Sequence, residues 1–370
     1  MDPRHGREPV PGHTTERDRT VMKALVYGGV DHRSWVDVPD PAIKDPDDAI
    51  VRVDAVTICG TDLHILKGDV PEVEEGRILG HEAVGTVLEV GDHVRDIRAG
   101  DRVLVSCISS CGRCRYCKEG RYGQCLGGGG WVLGHTIDGT QAEQVRVPFA
   151  DHSLHVLPDN VSNESALMLA DILPTSYEVG VLAGHVSPGD TVVVVGAGPI
   201  GLAALITARL FSPSHVIMVD PAESRRASAL AAGADHAVGP DEAADLVAEH
   251  TGGTGADVAI EAVGVPSSFE LCTELVRPGG HVANVGVHGE PATLHLETLW
   301  IKDVTITTGL VDTRTTPLLL RLLSEDKLDV GSLCTHRYGI DEMQDAYDVF
   351  SRAGETGALK VALFNPDAMG

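Results

Sequence analysis

The chain has 370 residues, enough for two domains of ordinary size, and a formal charge of −25 that repels phosphate backbones and anionic lipid. Nucleic acid and membrane surfaces are therefore poor partners, and no apolar run reaches the ~18 residues that a membrane helix requires. Hydrophobic residues at 43%, aromatics at only 4% and 42 glycines describe a globular α/β chain with many tight turns.

Residues 1–20 are polar, mix both charge signs and lack the apolar core of a secretory signal. They read as a flexible extension, and a cytoplasmic setting is expected. Eight cysteines in such a chain are metal ligands or free thiols rather than a disulfide frame.

From Met22 the pattern alternates. Lys23–Tyr27 and Ala49–Val56 read as strands separated by Pro- and Asp-rich turns, and Ala83–Gly91, Val103–Val105 and Gln144–Val147 continue the series. This part is expected to be a β-rich, barrel-like domain with its chemistry on loops. Between two of those strands the chain reads Cys59-Gly-Thr61-Asp62-Leu-His64, then Gly80-His81-Glu82. Cys59 and His81 are a thiolate and an imidazole, the donors that zinc prefers, with a hydroxyl, carboxylates and a second imidazole close by in sequence. On these residues alone, a buried thiol and unrelated imidazoles in a turn fit as well.

Cys111, Cys114 and Cys117 follow with two-residue gaps, and Cys125 comes eight residues later. Four clustered thiolates at that spacing converge on one ion and predict a tetrahedral structural zinc, with an iron–sulfur cluster as the lesser rival. Cys107, Cys272 and Cys334 read as ordinary buried thiols. The lobe carries Arg113, Arg115, Lys118 and Arg121, which are expected to pair with acidic neighbours rather than to grip a nucleic acid.

The middle of the chain changes character. Thr191-Val-Val-Val-Val195 is a continuous β-branched run, the mark of a parallel strand buried on both faces. Gly196-Ala-Gly198-Pro199-Ile200-Gly201 follows and opens a helical stretch. A second strand, His215–Val219, ends at Asp220. A Gly-x-Gly-x-x-Gly alone is weak, but between strand and helix, with an acid about 20 residues on, it predicts a dinucleotide loop. Gly196 permits the turn, Gly198 admits the pyrophosphate and Gly201 allows close helix–strand packing, while the helix N-terminus offers amide donors. Asp220 is placed to accept from the adenosine ribose hydroxyls and to repel a 2′-phosphate, which favours NAD; Arg225 and Arg226 soften that preference. Strand–helix alternation through Val304–Thr308 predicts a doubly wound sheet. Helices and a last strand near Ala358–Leu363 close the chain.

Taken together, these stretches, with Asp171 in Leu169-Ala-Asp-Ile-Leu-Pro-Thr175, resemble the zinc-dependent medium-chain alcohol dehydrogenases over residues 22–370. The resemblance implies a chaperonin-10-like catalytic domain from residues 21–173 and 316–370 and a Rossmann coenzyme domain from residues 174–315. It implies two zinc ions per chain, with Cys59, His81 and Asp171 holding the catalytic one. Glu82 becomes a carboxylate near the metal, and Asp62 a partner that fixes the His81 tautomer. Thr61 and His64 become a proton relay to the surface. Among coenzyme contacts it adds Thr175, to the carboxamide, and Lys360, to the pyrophosphate. Trp131 becomes a wall of the alcohol pocket, with a core plug as the competing reading.

The implied reaction is reversible hydride transfer between a small primary or secondary alcohol and NAD, giving an aldehyde or ketone, by a homodimer or homotetramer assembled partly through Val304–Thr308. A polyol, threonine or formaldehyde-handling relative is the alternative, and a non-catalytic NAD- and zinc-binding protein on the same scaffold is the reading from another class.

Overall fold

The computed structural model describes residues 21–366, so the extension read at residues 1–20 lies outside the described residues. The chain builds two principal sheets. One is six-stranded and wholly parallel, in the order His236–Val238, His215–Val219, Thr191–Val195, Ala256–Glu261, Val276–Asn284 and Thr305–Thr308. The valine run is its central strand, and every one of its residues is buried. Strand order reverses between Thr191–Val195 and Ala256–Glu261, and an open α/β sheet leaves its ligand crevice at the carboxyl ends of such a switch point. At the far edge, Thr305–Thr308 has one neighbour only among the described residues, and Trp300 and Ile301 beside it are 74% and 69% exposed.

The second sheet is mostly antiparallel and joins both ends of the chain. Lys360–Phe364 pairs with Ala49–Thr57, which pairs with Ala83–Val90, then Arg102–Val105 and Leu154–Val156. The register brings Ala362 against Thr57, Val56 against Ala83, and Ala83 against Val105. The residues just beyond those positions therefore meet at one end of the sheet, though they come from four parts of the sequence. Cys334–Gly339, a strand absent from the sequence reading, lies parallel to Lys360–Phe364 at the edge. Its Cys-Thr-His-Arg-Tyr-Gly composition and mostly half-buried residues give no apolar alternation to read.

The chain crosses between the sheets twice, and one carboxylate clasps both crossings. Ser176–Leu182 forms a π-helix on the outward crossing. Its Glu178, 9% exposed, accepts from the backbone amides of Asp312 (2.9 Å), Thr313 (3.1 Å) and Thr315 (2.8 Å) on the return. The Thr315 hydroxyl also donates to it, and the Ser106 hydroxyl meets Thr313 at 2.9 Å.

Candidate functional site

At the converging strand ends, ligand atoms of Cys59, His81, Glu82 and Asp171 all lie within 4.8 Å of one another. Cys59 caps the helix Gly60–Lys67, reached directly from the strand Ala49–Thr57. His81 and Glu82 lead into Ala83–Val90, and Asp171 precedes the helix Ile172–Thr175. His81 Nε2 is 3.6 Å from Asp171 Oδ2, which is 3.7 Å from Cys59 Sγ. A thiolate, an imidazole and a carboxylate at these separations match zinc in donor type. Burial alone would push the Asp171 carboxyl up, but the hydrogen bond and charge of His81, with the Thr175 hydroxyl, hold it below the usual carboxylate range.

Asp62 behaves partly as expected. Its Oδ2 accepts from the Cys59 amide (2.9 Å) and Gln141 Nε2 (2.9 Å), while Oδ1 stands 3.9 Å from His81 Nδ1, beyond hydrogen-bond reach. The direct bond read from sequence is not formed; the carboxylate faces the ring at ion-pair distance and Oδ1 has no other partner. Burial raises the Asp62 pKa, with His81 opposing. Gln141 in turn accepts from the Tyr347 hydroxyl at 2.8 Å, and both are fully buried.

Lys360, read as a pyrophosphate contact, is placed by the structure beneath this cluster instead. Its ammonium donates to Glu82 and to the Ile58 carbonyl (3.2 Å), and the residue is 1% exposed. The reason is register: Lys360 sits two residues before Ala362, which faces Thr57. Burial would lower its pKa, yet Glu82 and the nearby Cys59 hold it above the ordinary lysine range. Cys107, read as an incidental thiol, is also at the cluster, with Sγ 3.5 Å from Asp171 Oδ1. It follows the strand Arg102–Val105, whose Val105 faces Ala83.

On the outer side, Thr61 Oγ1 lies 3.7 Å from Cys59 Sγ. One turn on, His64 reaches the surface with its Nδ1 2.8 Å from Asp69. Trp131 stacks on His135 at 4.3 Å and stands edge-on to His81 at 6.2 Å. It is thus beside the cluster and also packed against both main cores, and its buried indole N–H has no partner.

The cysteine lobe is compact: the sulfurs of Cys111, Cys114, Cys117 and Cys125 lie within 4.8 Å of one another. Cys114 Sγ accepts from the amides of Cys117 (3.5 Å) and Leu126 (3.4 Å), and Cys125 Sγ from those of Cys111 (3.4 Å) and Gly127 (3.3 Å). Amide donors favour thiolate, and the Cys114 pKa falls to about 6, chiefly through the Cys117 amide. Burial pushes the Cys117 thiol up to about 12. Four sulfurs this close together match the donor set of a tetrahedral zinc. Of the basic residues here, Arg115 pairs with Glu119 at 2.9 Å and Arg121 approaches it at 3.9 Å.

In the parallel sheet, Gly196 has φ +102°, a conformation open to glycine, and a Cβ at Gly201 would collide with the Gly196 carbonyl. Pro199 is the first residue of the helix Pro199–Ala208. Asp220 closes the loop, accepting from the Ala197 and Ala222 amides at 2.9 Å each. Arg225 brings Nη1 within 3.6 Å of where a Cβ on Gly198 would stand, and that nitrogen is buried without a partner. A buried, unpaired guanidinium nitrogen beside a glycine loop at a helix N-terminus fits a phosphate-bearing ligand. Arg226 instead spends its guanidinium on the carbonyls of Asp220 and Pro221. The two sites are physically joined. Thr175 donates to Asp171 Oδ1 (2.5 Å), and the adjacent Ser176 hydroxyl donates to the carbonyl of Ile200 (2.8 Å) in the glycine loop.

Comparison with known proteins agrees with this geometry. Residues 45–159 match the alcohol dehydrogenase GroES-like domain model, and residues 199–325 match the zinc-binding dehydrogenase model. An alcohol dehydrogenase from Cupriavidus necator is 35% identical, covering 93% of this chain and 98% of its own. An L-threonine 3-dehydrogenase from Pyrococcus horikoshii is 34% identical over 88% of this chain and 92% of its own. The solved apo structure of zinc dependent alcohol dehydrogenase 2 from Streptococcus pneumonia superposes with a TM-score of 0.90 at 48% identity, over 93% of this chain and 99% of that one.

Proposed function

The chain belongs to the zinc-dependent medium-chain alcohol dehydrogenases, and from that premise we propose that it interconverts a small primary or secondary alcohol and its aldehyde or ketone with NAD as hydride carrier. The observation that supports this most is the continuity from the Cys59, His81 and Asp171 donors, through Thr175 and Ser176, to the Ile200 carbonyl of the glycine loop. It couples a metal cluster to a coenzyme crevice across a single turn of chain.

A zinc ion held by Cys59, His81 and Asp171 supplies Lewis acidity to the alcohol oxygen, and NAD supplies the hydride acceptor. The protein does the rest. Two anionic donors and one neutral ring would balance a dication, and the Asp62 charge 3.9 Å from His81 Nδ1 favours a proton on that nitrogen, leaving Nε2 for the metal side. Lys360 neutralises Glu82, which would otherwise stand as a buried, unpaired charge. Trp131 walls the cluster beside His81. The substrate proton leaves through the Thr61 hydroxyl toward His64, whose ring Asp69 orients at the surface. Asp220 sets the NAD preference. With Arg226 held by backbone carbonyls, it does not stand ready to take a 2′-phosphate. The cysteine lobe holds a second, structural zinc. We assign residues 21–173 and 316–370 to the catalytic domain and 174–315 to the coenzyme domain. The open edge at Thr305–Thr308, with its apolar flank, is the face through which homodimers or homotetramers of a cytoplasmic enzyme assemble.

Metal analysis with a substrate panel tests this. The expected result is two zinc ions per chain, falling to one in Asp171→Ala with loss of turnover. NAD-linked oxidation of short alcohols should exceed that of polyols or L-threonine. One zinc per chain and no turnover across the panel would favour the non-catalytic scaffold.

A further inference from the structure

Three histidines outside both clusters already described converge on the parallel sheet. His215 opens the strand His215–Val219, His236 opens the strand His236–Val238, and His250 lies in the last turn of the helix Pro240–Thr251. Periodicity puts all three on one face. Ile217 and Val219 pack against Ala243 and Val247 of that helix, and His215 shares their side of the strand. His236 stands opposite Ile217 in the register, and His250 is three residues beyond Val247. The ring centroids are 4.2 Å apart for His236 and His250, 4.5 Å for His215 and His250, and 5.9 Å for His215 and His236. One nitrogen from each ring lies within 4.8 Å of the others, and no ring nitrogen of the three is hydrogen-bonded among the described residues.

The geometry points to a third metal site, a three-histidine centre for a divalent transition ion such as Zn2+. Imidazole nitrogens at ~2.0–2.1 Å from a tetrahedral ion stand roughly 3.3 Å apart, so the rings close by about 1.5 Å, a movement within the reach of side-chain rotation at a half-buried surface. The fourth position is left to water. Three converging ring nitrogens, one from each imidazole and none with a protein partner among the described residues, offer an ion a ready donor set that apolar packing would not require. Asp235, next in sequence to His236 and held by the Val216 amide and Arg209, places a negative charge near His215.

The site is not catalytic. Asp220 lies at the other end of the strand that His215 opens, five residues or about 16 Å away. An ion here ties the edge strand and the C-terminal turn of its helix together, and so stabilises the coenzyme domain by binding only the folded state.

The test uses the full-length enzyme with its resident metals. It is equilibrated with Zn2+, desalted and compared by elemental analysis and thermal unfolding with untreated protein. The gain is counted relative to the untreated enzyme and compared with the gain in the histidine variants, which separates this site from any filling of the Cys59 and cysteine-lobe clusters. One additional ion per chain, a raised midpoint and unchanged turnover are expected. His236→Gln and His250→Gln should each weaken uptake about tenfold or more, while His185→Gln, in a separate pair with His281, should not. No additional ion in the parent enzyme, or uptake retained in both His236→Gln and His250→Gln, overturns the proposal.

Discussion

The Lys360 ammonium and the Glu82 carboxylate meet at the floor of the Cys59–His81–Asp171 cluster, each side chain 1% exposed. Removing one member of such a pair leaves the other charge buried and uncompensated, which costs about 3–5 kcal/mol. Lys360→Met should therefore lose roughly that much in denaturant unfolding. The double variant Lys360→Met/Glu82→Gln should recover most of it, because no isolated charge remains. Equal losses in the single and double variants would show that Lys360 acts through packing.

Asp220 is expected to set coenzyme choice. Asp220→Ser should shift the ratio of kcat/KM for NADP over NAD by on the order of 100-fold, the size of one relieved like-charge contact of a few kcal/mol. NAD use should also fall, since the Ala197 amide loses its acceptor. Steady-state kinetics with both coenzymes read this directly, and an unmoved ratio would assign Asp220 to loop closure alone.

His64→Gln should flatten the pH dependence of the hydride-transfer rate, with Asp69→Asn intermediate because it frees the ring without removing it. Pre-steady-state rates across pH give the comparison. A profile identical to that of the parent would remove His64 from the proton path.

His155 gives an acid-linked prediction. Burial depresses its pKa from 6.5 to about 4, and its Nε2 is buried without a partner. The unfolded chain thus binds a proton near pH 6.5 that the folded chain refuses until pH falls to about 4. Stability from the neutral ring is complete above 6.5 and declines as pH falls between those values. His155→Phe should reduce the stability lost between pH 7 and pH 5 by ~2 kcal/mol, measured as the difference in unfolding free energy at the two pH values.

Much of this site is local in sequence, and that part is legible. Cys111, Cys114, Cys117 and Cys125 sit within 15 residues, so spacing alone brings them together. The glycine loop reads as clearly because a buried parallel strand and a helix flank it. What escapes is non-local. Gln141 and Tyr347 are 206 residues apart and meet only because the C-terminal segment folds against the first strands. Cys107 and Lys360 reach the cluster by strand register, which no short window encodes. The histidine trio is spread over two strands and a helix and needs the parallel pairing before its members share a face.

The Glu178 clasp has a mechanical consequence. Both connections between the sheets are gathered at one carboxylate, so a hinge motion of one sheet against the other would turn about that point. Thr313 and the π-helical turn lie nearest that point and would take up the change in backbone torsion, so Glu178→Gln should loosen both connections at once.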